Sequence, residues 1–152
     1  MDAGSSITGA HPVCCAFLLD VARKVTNLIS HQIHLHGHDF AILQQEENQA
    51  YHPSKLNLTL DNPPRRDVVL LPNGGFVVIA FKADNPGSWL MHCHIARHAS
   101  EGLALQILER QSDADKLFPG NSPNIIEANR VCTEWKKWQD KQKDFFEGDS
   151  GI

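Results

Sequence analysis

The sequence predicts an all-β protein, an antiparallel sandwich of short strands followed by a helical C-terminal segment. Three observations support this. Apolar residues recur with a period of two over short runs between residues 40 and 109. Turn signals separate those runs: Asn62-Pro63-Pro64, Asn73-Gly74-Gly75 and Asn85-Pro86-Gly87. Beyond Glu109 the apolar spacing lengthens to that of a helix.

Taken in order, residues 1–27 carry scattered Gly and Ser without a clear period, and no structure is assigned to them. Residues 40–43 form the first β-like run, and Leu56, Leu58 and Leu60 alternate with polar residues in a second. Residues 67–71 form a third, ending at Pro72. Residues 76–81 are rich in β-branched and aromatic side chains, which suit a pleated, half-buried surface. Residues 88–92 and the alternating Leu103, Leu105 and Ile107 complete the strand set. Ser112-Asp113 can start a short helix that Pro119 ends, and a longer polar helix is expected over 123–146. Ile126, Val131, Trp135 and Trp138 fall on one face of it, and the two tryptophans are expected to cover the sandwich. The expected division is an unassigned segment over 1–27, one domain over 28–112 and a helical extension over 113–152.

A chain of 152 residues suits one domain with a short appendage. Hydrophobic residues at 41% and charged ones at 21% are ordinary for a globular protein, and a net charge of −4 gives no reason to expect nucleic acid. The longest apolar run, residues 13–19, is too short to span a bilayer, so no membrane partner is expected. No basic residue precedes it and Asp20 closes it, so it does not read as a signal peptide.

Histidine is the unusual component: nine residues, most in two clusters, HQIHLHGHDF over 31–40 and HCHIARH over 92–98. Of the four cysteines, Cys14 and Cys15 are adjacent, a spacing that rarely bridges. Cys93 sits inside a histidine cluster and reads as a ligand, which leaves Cys132 without an obvious partner. Successive side chains of an extended chain point to opposite faces. His34 and His36 therefore share a face and His31 takes the other; His92 and His94 share a face and Cys93 takes the other. His98 lies beyond the strand, where a turn can return it to the sulfur.

Placed side by side, the clusters sort into two sites. One gathers His31, Cys93 and His98, the two imidazoles and one thiolate of a blue-copper electron-transfer centre. The other gathers His34, His36, His92 and His94, an all-imidazole half-shell suited to copper that meets oxygen. Because His92 and His94 flank Cys93 covalently, an electron can pass between the sites through a few bonds. A single H-x-H pair is common, and zinc accepts most of these ligands. Structural zinc, however, uses a closed set of four, often rich in cysteine, whereas this set is larger and nearly cysteine-free.

HQIHLHGHDF and HCHIARHASEGL resemble the third and fourth copper motifs of the multicopper oxidases, specifically the fungal laccases. DNPPRRD (61–67), DNPGSW (84–89) and RVCTEW (130–135) are similar to the ascomycete branch. The resemblance runs from His31 to the C-terminus. It implies a Greek-key cupredoxin (plastocyanin-like) sandwich, copper as cofactor, phenolic substrates oxidised one electron at a time, oxygen as acceptor, and an extracellular location. It also implies a type 1 copper at His31, Cys93 and His98, with the non-ligating Leu103 in the axial position. His34 would hold the type 2 copper, and His36, His92 and His94 the type 3 pair. His38 is no ligand in the family and reads as a supporting histidine. Ser100 matches a serine proposed to relay protons, a capping or packing role being the alternative. Arg97 and Glu101 stand where relatives carry tryptophan and glycine; both fall on the substrate rim and can pair across a turn. The Asp149-Ser150-Gly151-Ile152 tail is similar to a processed terminus that plugs the channel to the oxygen site, and Asn57-Leu58-Thr59 is a glycosylation sequon.

The family's oxygen site takes eight histidines from four H-x-H pairs, and two pairs are present. The resemblance thus implies that N-terminal cupredoxin domains are missing, and that Cys132 matches a residue bridging to one of them. A fragment from a truncated gene is the simplest expectation, unable to reduce oxygen by itself. A stand-alone type 1 electron carrier and a non-functional remnant are the alternatives.

Overall fold

The computed structural model describes residues 13–20 and 29–142. It contains β1 (Val13–Asp20), β2 (His31–Leu35), β3 (Phe40–Glu46), β4 (Arg65–Arg66), β5 (Val68–Leu71), β6 (Phe76–Ala83), β7 (Gly87–Cys93), α1 (Ala96–Ser100), β8 (Ala104–Glu109), α2 (Gln111–Leu117) and α3 (Pro123–Gln139). One sheet has the order β1-β6-β3-β4 and the other β5-β2-β7-β8, with every pairing antiparallel. The chain passes repeatedly from one sheet to the other, which makes this the sandwich expected from the strand pattern.

The core lies between the sheets. Phe40, Val77 and Ile79 of one sheet and Leu35 and Cys93 of the other are at most 1% exposed. Each large apolar side chain so buried contributes about 1.5–3 kcal/mol. The histidine-bearing β2 and β7 are the two inner strands of their sheet, so the site rests on the best-supported part of the fold. The β5–β6 turn is equally constrained: a Cβ on Gly75 would stand 1.9 Å from the Glu46 carbonyl oxygen, so only glycine fits there.

Several expectations are corrected. Leu56, Leu58 and Leu60 do not form a strand. Their segment runs beside β3 but bonds to it only through the Thr59 N–H to the Leu43 carbonyl (2.8 Å) and the Asn57 N–H to the Gln44 side chain (2.8 Å). A register shift in β3 between Ile42 and Gln44 accompanies this arrangement, and a ladder does not propagate. Within the segment left unassigned, the apolar run folds as β1 and pairs with β6 along its whole length. Trp135 and Trp138 do not cover the sandwich. They are 53% and 45% exposed and lie against each other with ring centroids 4.9 Å apart, and no residue of α3 is buried. Helix α3 is specified locally instead, by Pro123 in its first turn and by Lys136 and Lys137 in its last, where cations suit the helix dipole. The expected plug-like tail, residues 149–152, lies outside the described residues. Among the described residues, no helix is long and apolar enough to cross a membrane.

Candidate metal centre

Register places the histidines. Ile33 pairs with Cys93 and His34 with His92 across β2 and β7. Residues directly opposite each other in an antiparallel pair project from the same face. Ile33 and Cys93 turn inward, at 4% and 0% exposure, and His34 and His92 turn the other way. The pairing continues past both strand ends: the His36 N–H donates to the Leu90 carbonyl (2.9 Å) and the His94 N–H to the Gln32 carbonyl (2.6 Å). Backbone bonds thus hold all four of these histidines in the alternation.

On the inward face His31, Cys93 and His98 converge. The two Nδ1 atoms are 3.2 Å apart, and Cys93 Sγ lies 3.7 Å from that of His31 and 3.6 Å from that of His98. Helix α1 returns His98 to the sulfur, as its position beyond the strand predicts. Two backbone bonds lock this return: Leu103 N–H to the His98 carbonyl (2.9 Å) and Cys93 N–H to the Leu103 carbonyl (3.0 Å). Leu103 is thereby brought next to Cys93 in the backbone, with its side chain 40% exposed. The thiol is fully buried and both imidazoles are half-buried, so the group reaches solvent through its ring edges.

On the opposite face the rings of His34, His36, His92 and His94 form a cluster with centroids 4.8–5.7 Å apart. His36 Nε2 and His92 Nε2 approach to 3.0 Å. His34 Nδ1 donates to the Asp67 carbonyl (2.8 Å) and His92 Nδ1 to the Cys93 carbonyl (3.0 Å). Each bond leaves Nε2 as the free lone pair, as in metal-binding histidines whose other nitrogen is tied to a carbonyl. Burial, and next the neighbouring His98, holds the His31 imidazole below its ordinary pKa. Burial, followed by His34, His92 and His94, does the same for His36. Both are pushed toward the neutral, ligating form.

Not every residue singled out from the sequence joins these groups. Ser100 closes α1 on its exposed side and makes no hydrogen bond with either group. Arg97 and Glu101 pair across a turn of α1, Nε to Oε1 at 2.8 Å, with both side chains exposed. His38 lies against the rings of Phe81 and Trp89, its side chain 4% exposed, with Nε2 2.8 Å from Oε2 of an equally buried Glu109. Neither Glu109 nor Asn85, which bonds to it, belongs to a histidine motif. One signal was available: Glu109 shares the strand parity of Leu105 and Ile107, where a charge interrupts an apolar alternation.

The donor set fits copper. Two imidazoles and a thiolate 3.2–3.7 Å apart can share one ion with bonds of about 2.0–2.3 Å, and the same holds for two imidazole nitrogens 3.0 Å apart.

Comparison with known proteins agrees. Residues 20–113 match the multicopper oxidase family model. A laccase of Arthroderma benhamiae is 52% identical over 130 residues, covering 82% of this chain and 20% of that protein. Laccase-1 of Botryotinia fuckeliana is 51% identical over 124 residues, covering 81% of this chain and 21% of its own. The crystal structure of the laccase from Botrytis aclada superposes with a TM-score of 0.68 at 44% identity, over 91% of this chain and 25% of that one. The chain therefore spans about a fifth of the length of the curated relatives it matches. With cupredoxin domains as its structural neighbours and copper as the cofactor the family implies, this chain belongs to the multicopper oxidases.

Proposed function

We propose that this chain supplies the electron-accepting copper site, and half of the oxygen-facing copper ligands, of a laccase-like enzyme that oxidises phenols. One observation carries the reading: a His-Cys-His triangle and a four-imidazole cluster occupy opposite faces of the same two strands, joined through Cys93. His31, Cys93 and His98 hold the type 1 copper. His34 would serve the type 2 copper, and His36, His92 and His94 the type 3 pair; the Nε2 atoms of His36 and His92 lie 3.0 Å apart, close enough to hold one ion between them. Bound copper supplies one-electron redox chemistry on the sulfur side and oxygen reduction on the imidazole side.

The residues divide the remaining work. The half-exposed edges of His31 and His98 are the point of electron entry, where a phenol would lose one electron to the copper held there and its proton to solvent. Cys93 carries the electron through the sheet, along the peptide bonds to His92 and His94. The His92 Nδ1–H to Cys93 carbonyl bond, 3.0 Å, is a second and shorter link. Leu103, whose backbone is bonded to Cys93 and His98, offers no ligating atom, so a copper held by the three donors would gain no fourth ligand from it and would favour the reduced state. The remaining ligands come from N-terminal cupredoxin domains, the four-electron reduction of oxygen belongs to that assembly, and its location is extracellular.

The complete His-Cys-His triangle favours a second reading, a type 1 electron carrier, for the chain on its own. Copper titration of the purified chain tests both. An intense visible thiolate-to-copper band, saturating at one copper per chain and without oxygen uptake, is the expected result. No band overturns the type 1 assignment, and four coppers with oxygen reduction overturns the half-shell reading.

A further inference from the structure

A buried polar network lies behind His36 and reaches residues distant in sequence. His38 Nδ1 is 3.1 Å from the His36 carbonyl, and its Nε2 faces Glu109 Oε2 at 2.8 Å. The other oxygen of Glu109 accepts from the Asn85 N–H (2.6 Å). Asn85 Nδ2 donates to the Gly37 carbonyl (2.9 Å), and the Asn85 carbonyl accepts from Trp89 Nε1 (2.7 Å). Gly37 has φ +70, and a Cβ there would stand 2.4–2.6 Å from the Trp89 ring, so the indole seats directly against the backbone beside His36. The turn that carries His36 is thus held on three sides: by the β6–β7 connection, by β7 and by the last residue of β8.

We propose that Glu109 and Asn85 are positioning residues for the oxygen-facing copper site, setting the His36 imidazole against His92 through His38 and the Gly37 carbonyl. Three features support this role. His36 lies one residue beyond β2, so its ladder bond to Leu90 fixes its N–H but not the carbonyl that follows. That carbonyl and the next one are the two the network binds. Glu109 touches both supports: one oxygen accepts from the Asn85 N–H of the β6–β7 turn, and the other faces His38 Nε2 at 2.8 Å as a close contact without hydrogen-bond geometry. The sulfur group receives none of these bonds; its geometry comes from α1 and Leu103.

The test uses the whole chain, with Glu109→Ala, the conservative Glu109→Gln and Asn85→Ala. Gln keeps an acceptor for the Asn85 N–H and a polar contact to His38, and Asn85→Ala removes only the tie to Gly37. In the metal-free chain, imidazole ring resonances of His36 and His92 are expected to move in Glu109→Ala and Asn85→Ala, with His31 and His98 in place. On copper loading, the imidazole-bound copper signal in electron paramagnetic resonance should need about tenfold more copper, or beyond, to saturate. The thiolate band should be unchanged, and Glu109→Gln should recover most of the difference. If His36 and His92 resonances stay fixed, or all four histidines shift together, the positioning role is overturned. Absence of imidazole-bound copper in the unsubstituted chain overturns the ligand assignment on which the copper readout rests, and the metal-free resonances then decide the positioning role alone. If Glu109→Ala does not fold, Asn85→Ala carries the comparison.

Discussion

The two faces of the β2–β7 pair carry similar ligands in opposite states of completion. The sulfur face draws its three donors from β2, β7 and α1, all within one compact unit, and encloses the thiol entirely. On the imidazole face four rings come from β2 and β7 and their continuations, and only His36 and His92 approach within 3.0 Å. A site whose ligands lie on neighbouring elements is complete wherever the domain folds. A site built at the edge of a domain depends on what is placed opposite. The proposed electron acceptor is of the first kind and the proposed oxygen site of the second.

The sharpest way to break this comparison is Cys93→Ser. It should abolish the visible band of the copper-loaded chain altogether while leaving imidazole-bound copper detectable by electron paramagnetic resonance. Next in size is the stability cost of Glu109→Ala. Removing the carboxylate leaves the Asn85 N–H without its acceptor (2.6 Å) and the 4%-exposed His38 side chain without a polar neighbour, a loss of about 1–3 kcal/mol. Urea unfolding measures it, and a cost well below 1 kcal/mol would show that the pair is not closed to water.

How much of this was legible in the sequence is now clear in physical terms. Strand parity alone separates His31 and Cys93 from His34 and His92, because the side-chain period of two is a local property. The His98 return was legible too, since HCHIARH leaves a short turn after the strand. Long-range matters were not. Whether Leu56, Leu58 and Leu60 become a strand depends on a partner edge, and β3 offers them only one backbone bond. The apolar run at 13–19 needed β6 to make it a strand. Glu109 was hidden because its partners lie 24 and 71 positions away in sequence.

Smaller effects sharpen the contrast. Leu103→Met should lower the reduction potential of the sulfur-side copper by adding a weak axial ligand, leaving the imidazole-bound copper unaffected; redox titration of the visible band reads it. Acidification should destabilise the metal-free chain modestly. His31 and His36 hold their protons less readily when folded, so the unfolded state binds more protons below the ordinary imidazole value of 6.5. Stability is full above that value and falls as pH drops through it, which unfolding midpoints at several pH values will show. The smallest change is expected for Arg97→Ala. Its pair with Glu101 is exposed and screened by solvent, so unfolding midpoint and band position should both stay within measurement scatter.

The pairing of Ile33 with Cys93 and of His34 with His92 has a consequence for how this region can change. A substitution alters one ligand and leaves the rest where they are. An inserted or deleted residue within β7 is a different event, because a shift of one position sends every later side chain to the other face. The thiol would then point toward the oxygen side, and the histidines beside it would point into the core. The chemistry of this pair of strands can therefore vary by exchange of residues, while the stretch of β7 that runs into HCH must keep a counted length.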